Sequence, residues 1–265
     1  MNAFRDGDFE RAYEFETSRF RLRDQLGDPD LVHDLYLSTI PTANATGRLE
    51  EAKRLANELT EVVADLTPHH RLHGVANLIE IEELKGTWDA VLALEEATVA
   101  AVEANRYTPC VRNARSLLVC AIARELAGDR ERSAELEARA AELASEGHGG
   151  AIATPRARLA IARGSLDVLE ILSDEAWLRR QTWFALPSAA LRLDVFAIIG
   201  SAADVEGSFA PPGSYVEPFA TRALGMTTGD DELLRRADER FRALGLVWHA
   251  DQTEPLRRLR KLALG

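Results

Sequence analysis

The fold of this chain is decided by residues 47–52, whose sequence is GRLEEA, because the same pattern returns along the chain. The pattern is a glycine, a polar residue, an apolar residue, two variable residues and a small or apolar residue. The other copies begin at Gly7, Gly86, Gly128 and Gly164, so successive glycines are 40, 39, 42 and 36 residues apart. A period in this range is typical of arrays of paired helices.

Each of these glycines is predicted to end one helix and to start the turn into the next. Glycine adopts the left-handed conformation without steric cost, and the polar residues after it can cap the following helix. Between the glycines, apolar residues recur three or four positions apart, which indicates helices with one apolar stripe. The clearest stripe comprises Leu49, Ala52, Leu55, Ala56, Leu59, Val62, Val63 and Leu66. One pair of helices cannot bury its stripes alone, so neighbouring pairs are expected to stack.

The composition predicts an all-α globular protein. Hydrophobic residues make up 46% and charged residues 28% of the 265 positions, and Ala, Leu, Glu and Arg, all good helix formers, dominate. The net charge of −11 argues against nucleic acid as the main partner. No signal peptide follows Met1 and no apolar run approaches the roughly 18 residues of a membrane span. We therefore expect a cytoplasmic protein with no membrane partner.

The two cysteines, Cys110 and Cys120, are predicted to stay reduced. They lie ten residues apart in one predicted helix, about 15 Å along its axis. A disulfide needs Cα atoms closer than about 7 Å. Both are interpreted as buried small hydrophobic residues in a reducing compartment.

The recurring turn between paired helices resembles the tetratricopeptide repeat, although the period here is longer than the usual 34 residues. Residues 214–254, which include the sequence RFRALGLVWHA, are similar to the final repeat of large bacterial regulators of the ATPase-containing adenylate/guanylate cyclase or transcriptional-activator type. The resemblance implies a superhelical array of antiparallel helix pairs, an α-solenoid forming one domain over 1–265. Regular repeats would fill 1–173, and degenerate repeats with a C-terminal cap would fill 174–265.

The resemblance also implies which residues contact a partner. In tetratricopeptide arrays the first helix of each pair lines a concave groove, and contact positions lie at fixed distances before the turn glycine. Carried onto this chain, those positions are Asp34, Asn44, His73, Glu80, Glu83, Arg115, Glu125, Thr154 and Arg158. One end of such a groove is acidic and the other is basic, which suits a peptide of mixed charge.

Further candidate sites have competing interpretations. Trp177, Trp183 and Phe184 form an aromatic group that either packs in the core or lines a small-molecule pocket. His69 and His73 share a helix face and could hold a metal. However, no HExxH motif occurs and no thiol is near in sequence, so these histidines and His70 are predicted to be solvent-exposed residues at a helix start, with no metal or cofactor.

Catalysis is not predicted. The chain has no phosphate loop, no cyclase core and no Gly-x-Ser-x-Gly nucleophile elbow. The basic run at 257–261 is interpreted as complementing the negative end of the last helix. The leading hypothesis is a non-catalytic scaffold that binds a protein or peptide in bacterial signalling or transcription control. The alternatives are a ligand-sensing helical domain that binds a small molecule or peptide, and an oligomerisation module that forms a homo-oligomer through its end helices.

Overall fold

The computed structural model describes residues 2–144, 149–165, 184–208 and 210–265, and all regular structure within these ranges is helical. The all-α prediction is therefore confirmed. The helices are α1 (Asn2–Arg5), α2 (Phe9–Phe20), α3 (Pro29–Ala45), α4 (Leu49–Val62), α5 (Pro68–Lys85), α6 (Trp88–Ala104), α7 (Val111–Leu126), α8 (Arg130–Leu143), α9 (Gly149–Ala162), α10 (Ala185–Ile199), α11 (Ala202–Glu206), α12 (Glu217–Thr228), α13 (Asp231–Ala243), α14 (Val247–Asp251) and α15 (Thr253–Leu264), with a 3₁₀ turn at Arg23–Gln25. None of the helices in these ranges is long and apolar enough to cross a membrane.

The glycine turns form as the sequence predicts. All five signature glycines have positive φ angles, between 71° and 84°. At Gly86 the glycine amide donates to the carbonyl of Glu83 and the next amide, of Thr87, donates to the carbonyl of Glu82. This hydrogen-bond pattern closes the last turn of a helix and needs the left-handed residue that glycine supplies. Asp8 and Asp129, each directly after a turn glycine, cap α2 and α8 through their side chains.

Neighbouring helices pack in chain order from α2 to α8. The first helices of successive pairs also touch, since α3 contacts α5, α5 contacts α7 and α7 contacts α9. The predicted stripe of α4 is buried at Leu49, Ala52, Leu55, Ala56 and Leu59. Helices α5 and α7 are buried on nearly every face, not along one stripe. A second layer of structure must therefore cover the side of these helices that faces away from α4, α6 and α8.

That cover is supplied by residues 184–265, which we call the C-terminal unit. Its helix α10 packs against α12 and α15 within the unit, and against α5 and α9 outside it. The Tyr215 amide donates to the carbonyl of Ala45 at 3.0 Å, at the last residue of α3. The turns at Gly47 and Gly86 are covered by Leu244 and Trp248, so closely that a Cβ atom on either glycine would lie 2.9 Å from these side chains. The C-terminal unit thus sits on the turns that end α3 and α5.

Ser214 and Glu217 have the spacing of a capping box, a serine followed three residues later by an acid, but they do not form one. The Ser214 hydroxyl donates to the carbonyl of Pro211, and the Glu217 carboxylate accepts from the amide of Gly213. Ser201 and Asp204 have the same spacing and do form a capping box, which starts α11. The difference lies in where the helix begins: α11 begins at the residue after Ser201, whereas α12 begins only at Glu217.

Candidate functional site

The residues predicted to line a groove lie on the first helices of the pairs, α3, α5, α7 and α9, but most are not open to a partner. Asp34 is exposed, and Glu80 and Arg158 are half-buried. The buried members are Asn44, His73, Glu83, Arg115, Glu125 and Thr154. An open groove therefore does not describe this structure. The physical reason differs from residue to residue: ion pairs between neighbouring helices hold some of them, and the C-terminal unit covers others.

Two parallel ion pairs join α5 to α7. Arg115 donates to Glu83 at 2.6 Å, and both side chains are almost fully buried. Arg112 forms a two-point contact with Glu80, at 2.9 and 3.2 Å. The ring of Phe184 lies against both guanidinium groups, with its centroid 4.4 Å from Arg115 and 5.6 Å from Arg112. The first residue of the C-terminal unit therefore makes a cation–π contact with α7.

A second buried charge cluster joins the C-terminal unit to α9. The Asp194 carboxylate accepts from Arg222 at 2.5 Å and lies 3.6 Å from Arg158 of α9. Arg222 is fully buried and also donates to the carbonyl of His249. Beside this cluster, the hydroxyl groups of Thr154 and Ser188 are hydrogen-bonded at 2.7 Å. Two predicted groove residues of α9 thus contact α10.

The carbonyl of Leu84, near the end of α5, accepts two hydrogen bonds from the C-terminal unit. The hydroxyl of Tyr215 donates at 2.8 Å, and Nε2 of His249 lies at 3.0 Å. Burial lowers the pKa of His249 well below its usual value, with Arg158 and Arg222 adding to the effect, so the imidazole is neutral and donates from Nε2. These contacts fix the C-terminal unit against α5.

Of the residues through which the C-terminal unit contacts the preceding helices, the sequence singled out only Phe184, as a member of the aromatic group. Those that it missed are Ser188, Asp194, Tyr215, Arg222, Trp248 and His249. A signal was present at Asp194, a lone acid inside the apolar run LRLDVFAII, since a charge in such a run needs a buried partner. Trp177 and Trp183, the other members of the predicted aromatic pocket, lie outside the described residues.

Glu125, at the far end of α7, is held by Arg130 of α8 and by Arg163, which directly follows α9. It accepts from Arg163 at 3.0 Å and lies 3.3 Å from Arg130. Asn44, at the end of α3, has a buried Oδ1 with no hydrogen-bond partner among the described residues. Neither residue contacts a side chain of the C-terminal unit by a hydrogen bond within those ranges.

A cluster of histidines lies at the other end of α3 and α5. His33 of α3 approaches His73 of α5, with Nε2 of the first 3.0 Å from Nδ1 of the second. His73 is only 8% exposed, and its Nε2 lies 3.7 Å from Sγ of Cys110. His69 and His70 are half-buried. The prediction of solvent-exposed histidines is therefore wrong, because α3 supplies His33 and the residue before α7 supplies Cys110.

Burial sets the protonation of this cluster. It lowers the pKa of His73 to about 2, with Arg112 and His69 adding to the effect, and it lowers the pKa of His33 and His69 as well. Burial also raises the pKa of the Cys110 thiol. At neutral pH His33, His69 and His73 are therefore neutral imidazoles, and Cys110 is a protonated thiol. Cys110 and Cys120 are both free and buried, as predicted.

The turn geometry and the pairing of helices are features that a helical-repeat family would share. No protein-family model, curated protein or solved structure matches this chain.

Proposed function

We propose that this chain is a non-catalytic helical-repeat module of the tetratricopeptide type that binds a polypeptide segment in a bacterial signalling or transcription-control system. The binding face is formed by α5, α7 and α9, and the C-terminal unit occupies it in the closed form seen here. One observation carries the proposal: three of the nine positions that the repeat frame assigns to partner contact, all on α7 and α9, each meet a side chain of the C-terminal unit. The pairs are Arg115 with Phe184, Thr154 with Ser188, and Arg158 with Asp194.

The chemistry of these contacts defines the partner. The face offers two guanidinium groups that stack on an aromatic ring, a hydroxyl group, and a third guanidinium that meets a carboxylate. A cation–π contact is worth about 0.5–1 kcal/mol when exposed and about 2 kcal/mol when desolvated. A matching partner is a helix with an aromatic residue at its start, a small hydroxyl residue four positions on and an acid ten positions on. Residues 184–199 of the chain itself have this pattern.

The test uses the full-length chain and a fluorescent peptide that copies residues 184–199. The double variant Phe184→Ala/Trp248→Ala weakens the hold of the C-terminal unit without changing the binding face. We expect it to bind the peptide at least tenfold more tightly than the wild type does, since about 1.4 kcal/mol of lost self-contact corresponds to a factor of ten. Fluorescence anisotropy measures the affinity, and circular dichroism verifies that the variant keeps its helices.

Two further variants make the result specific. Adding Arg158→Ala to the double variant should weaken peptide binding, because Arg158 lies on the face and meets Asp194. Phe15→Ala, which removes an exposed phenylalanine of α2, should leave binding at the wild-type level. The proposal is wrong if weakening the closed form does not increase peptide binding, or if the increased binding is insensitive to Arg158.

A further inference from the structure

Three side chains able to bind a metal converge from two neighbouring repeats. His69 and His73 lie four residues apart in the first turns of α5, and Cys110 immediately precedes α7. One ligand atom from each of the three lies within 4.8 Å of the others. Residues four apart on a helix share a face, so α5 presents both imidazoles on the side where Cys110 arrives.

The distances are close to those of a tetrahedral zinc site. Zinc binds histidine nitrogen at about 2.0–2.1 Å and cysteine sulfur at about 2.3 Å, which places ligand atoms about 3.3–3.6 Å apart at tetrahedral angles. Nε2 of His73 and Sγ of Cys110 are 3.7 Å apart. The ligand atom of the third residue, His69, lies within 4.8 Å of the other two. Because His69 is half-buried, a rotation of its ring can bring this atom to the tetrahedral distance.

Hydrogen bonds orient His73 as a metal ligand. Nδ1 of His33 lies 3.4 Å from the Asp34 carboxylate, which can only accept a proton. His33 therefore carries its hydrogen on Nδ1, and its Nε2 accepts from Nδ1 of His73 at 3.0 Å. This leaves Nε2 of His73 as a free lone pair directed at Cys110. A carboxylate or another acceptor behind the ligating histidine is the usual support of a metal-bound imidazole.

His70, next to His69 in the sequence, is not a candidate ligand. Both ring nitrogens of His70 are engaged, one by the Thr67 hydroxyl at 2.7 Å and the other by Asp30 at 3.2 Å. His69, by comparison, has a buried Nδ1 with no hydrogen-bond partner in the part of the chain that the structure describes. Arg112, whose positive charge disfavours protonation of His73, is held by the carboxylate of Glu80. Nδ1 of His69 is thus available to bind a metal ion, and the charge of Arg112 is neutralised by Glu80.

We propose that His69, His73 and Cys110 bind Zn²⁺, with His33 and Asp34 positioning His73 and the fourth coordination position open to water. On binding, the S–H bond of Cys110 breaks, its proton passes to the buffer and the thiolate sulfur bonds to zinc. Imidazole nitrogen and thiolate sulfur are the ligands that zinc commonly binds in proteins. The ion would fasten the start of α5 to the connection before α7.

The test is a titration of the chelator-treated full-length protein with Zn²⁺ by calorimetry, repeated with Co²⁺ as a spectroscopic probe. We expect one equivalent to bind, with a thiolate-to-cobalt charge-transfer band and the visible bands of a tetrahedral ion. Cys110→Ala should abolish the charge-transfer band, and His69→Ala should weaken binding by at least about 100-fold. His33→Ala should weaken it by roughly 10- to 100-fold, the range for a residue that supports a ligand.

Matched controls separate this site from adventitious binding. Cys120→Ala removes the other buried thiol, and His70→Ala removes the adjacent histidine; both should bind Zn²⁺ as the wild type does. If Cys110→Ala does not fold, His69→Ala serves alone, since that side chain is half-buried. The proposal is overturned if the wild type binds no stoichiometric zinc, if the cobalt complex lacks the thiolate band, or if His70→Ala and His69→Ala weaken binding equally. Peptide binding by the α5–α9 face does not depend on either outcome.

Discussion

Replacing Gly86 by alanine tests whether the C-terminal unit really rests on the turn after α5. The residue has φ 71°, and an added Cβ would lie 2.9 Å from both Cβ and Cε3 of Trp248. Gly128 is the matched control, because it ends α7 in the same kind of turn at φ 84° but a Cβ there would meet no atom within 4 Å. The two substitutions share the backbone strain and differ in the steric conflict.

The magnitudes follow from these two geometries. Alanine in the left-handed conformation costs roughly 1–2 kcal/mol, and this is the whole loss expected for Gly128→Ala. At Gly86 the overlap with Trp248 adds about 1–3 kcal/mol, the usual cost of overpacking. The effect of alanine on the unfolded chain is the same at both positions and cancels in the comparison. Gly86→Ala should therefore lose roughly 2–5 kcal/mol in all.

The assay is urea unfolding followed by circular dichroism, with both variants measured beside the wild type. A double-mutant cycle then assigns the cause: in a Trp248→Ala background, the excess loss at Gly86 should disappear. Equal destabilisation of Gly86→Ala and Gly128→Ala would refute the packing of Trp248 on this turn, and with it the closed form of the binding face.

Two other predictions concern buried charge. Glu83→Gln should destabilise the protein by about 3–5 kcal/mol, because it leaves Arg115 buried without its counter-charge. Glu80→Gln should destabilise it less, because Glu80 is only half-buried. The denaturant concentrations at which the two variants are half unfolded test this difference. Stability should fall as the pH drops below about 6.5, because unfolded His249 takes up a proton that the folded side chain, with its lowered pKa, does not. His249 contributes up to about 1.4 kcal/mol per pH unit, or about 2 kcal/mol between pH 7 and pH 5, and His249→Gln should remove this part of the loss from the unfolding profile.

The sequence predicted what depends on local geometry and missed what depends on distant partners. The turn at Gly86 follows from a single residue's φ angle, so its position could be read from the repeat. The bonds of Tyr215 and His249 to Leu84 join residues 131 and 165 positions apart, and no local pattern encodes them. The burial of the predicted groove could not be foreseen for the same reason.

The contacts in the histidine cluster join residues at an intermediate separation in the sequence. His33 and His73 are 40 residues apart, and His73 and Cys110 are 37 apart, which is close to one repeat in each case. The ion pair of Glu83 with Arg115 spans 32 residues, also about one repeat. Separations of about one repeat join neighbouring first helices, so the repeat predicts which helices meet but not which of their residues do.

The two candidate sites lie at opposite ends of α5, and this makes their energies separable. His69 stands in the first turn and Gly86 directly after the last, 17 residues later, which is about 25 Å along a helix. Sites farther apart than about 7–10 Å with no shared partner usually have additive effects on stability. In the presence of zinc, the losses of unfolding free energy caused by Gly86→Ala and His69→Ala should therefore add up to the loss in the double variant to within about 0.5 kcal/mol, as measured by urea unfolding. A larger coupling energy would mean that α5 moves as a rigid rod between the zinc cluster and the C-terminal unit. Zinc binding at the start of α5 would then change how the C-terminal unit packs at its end.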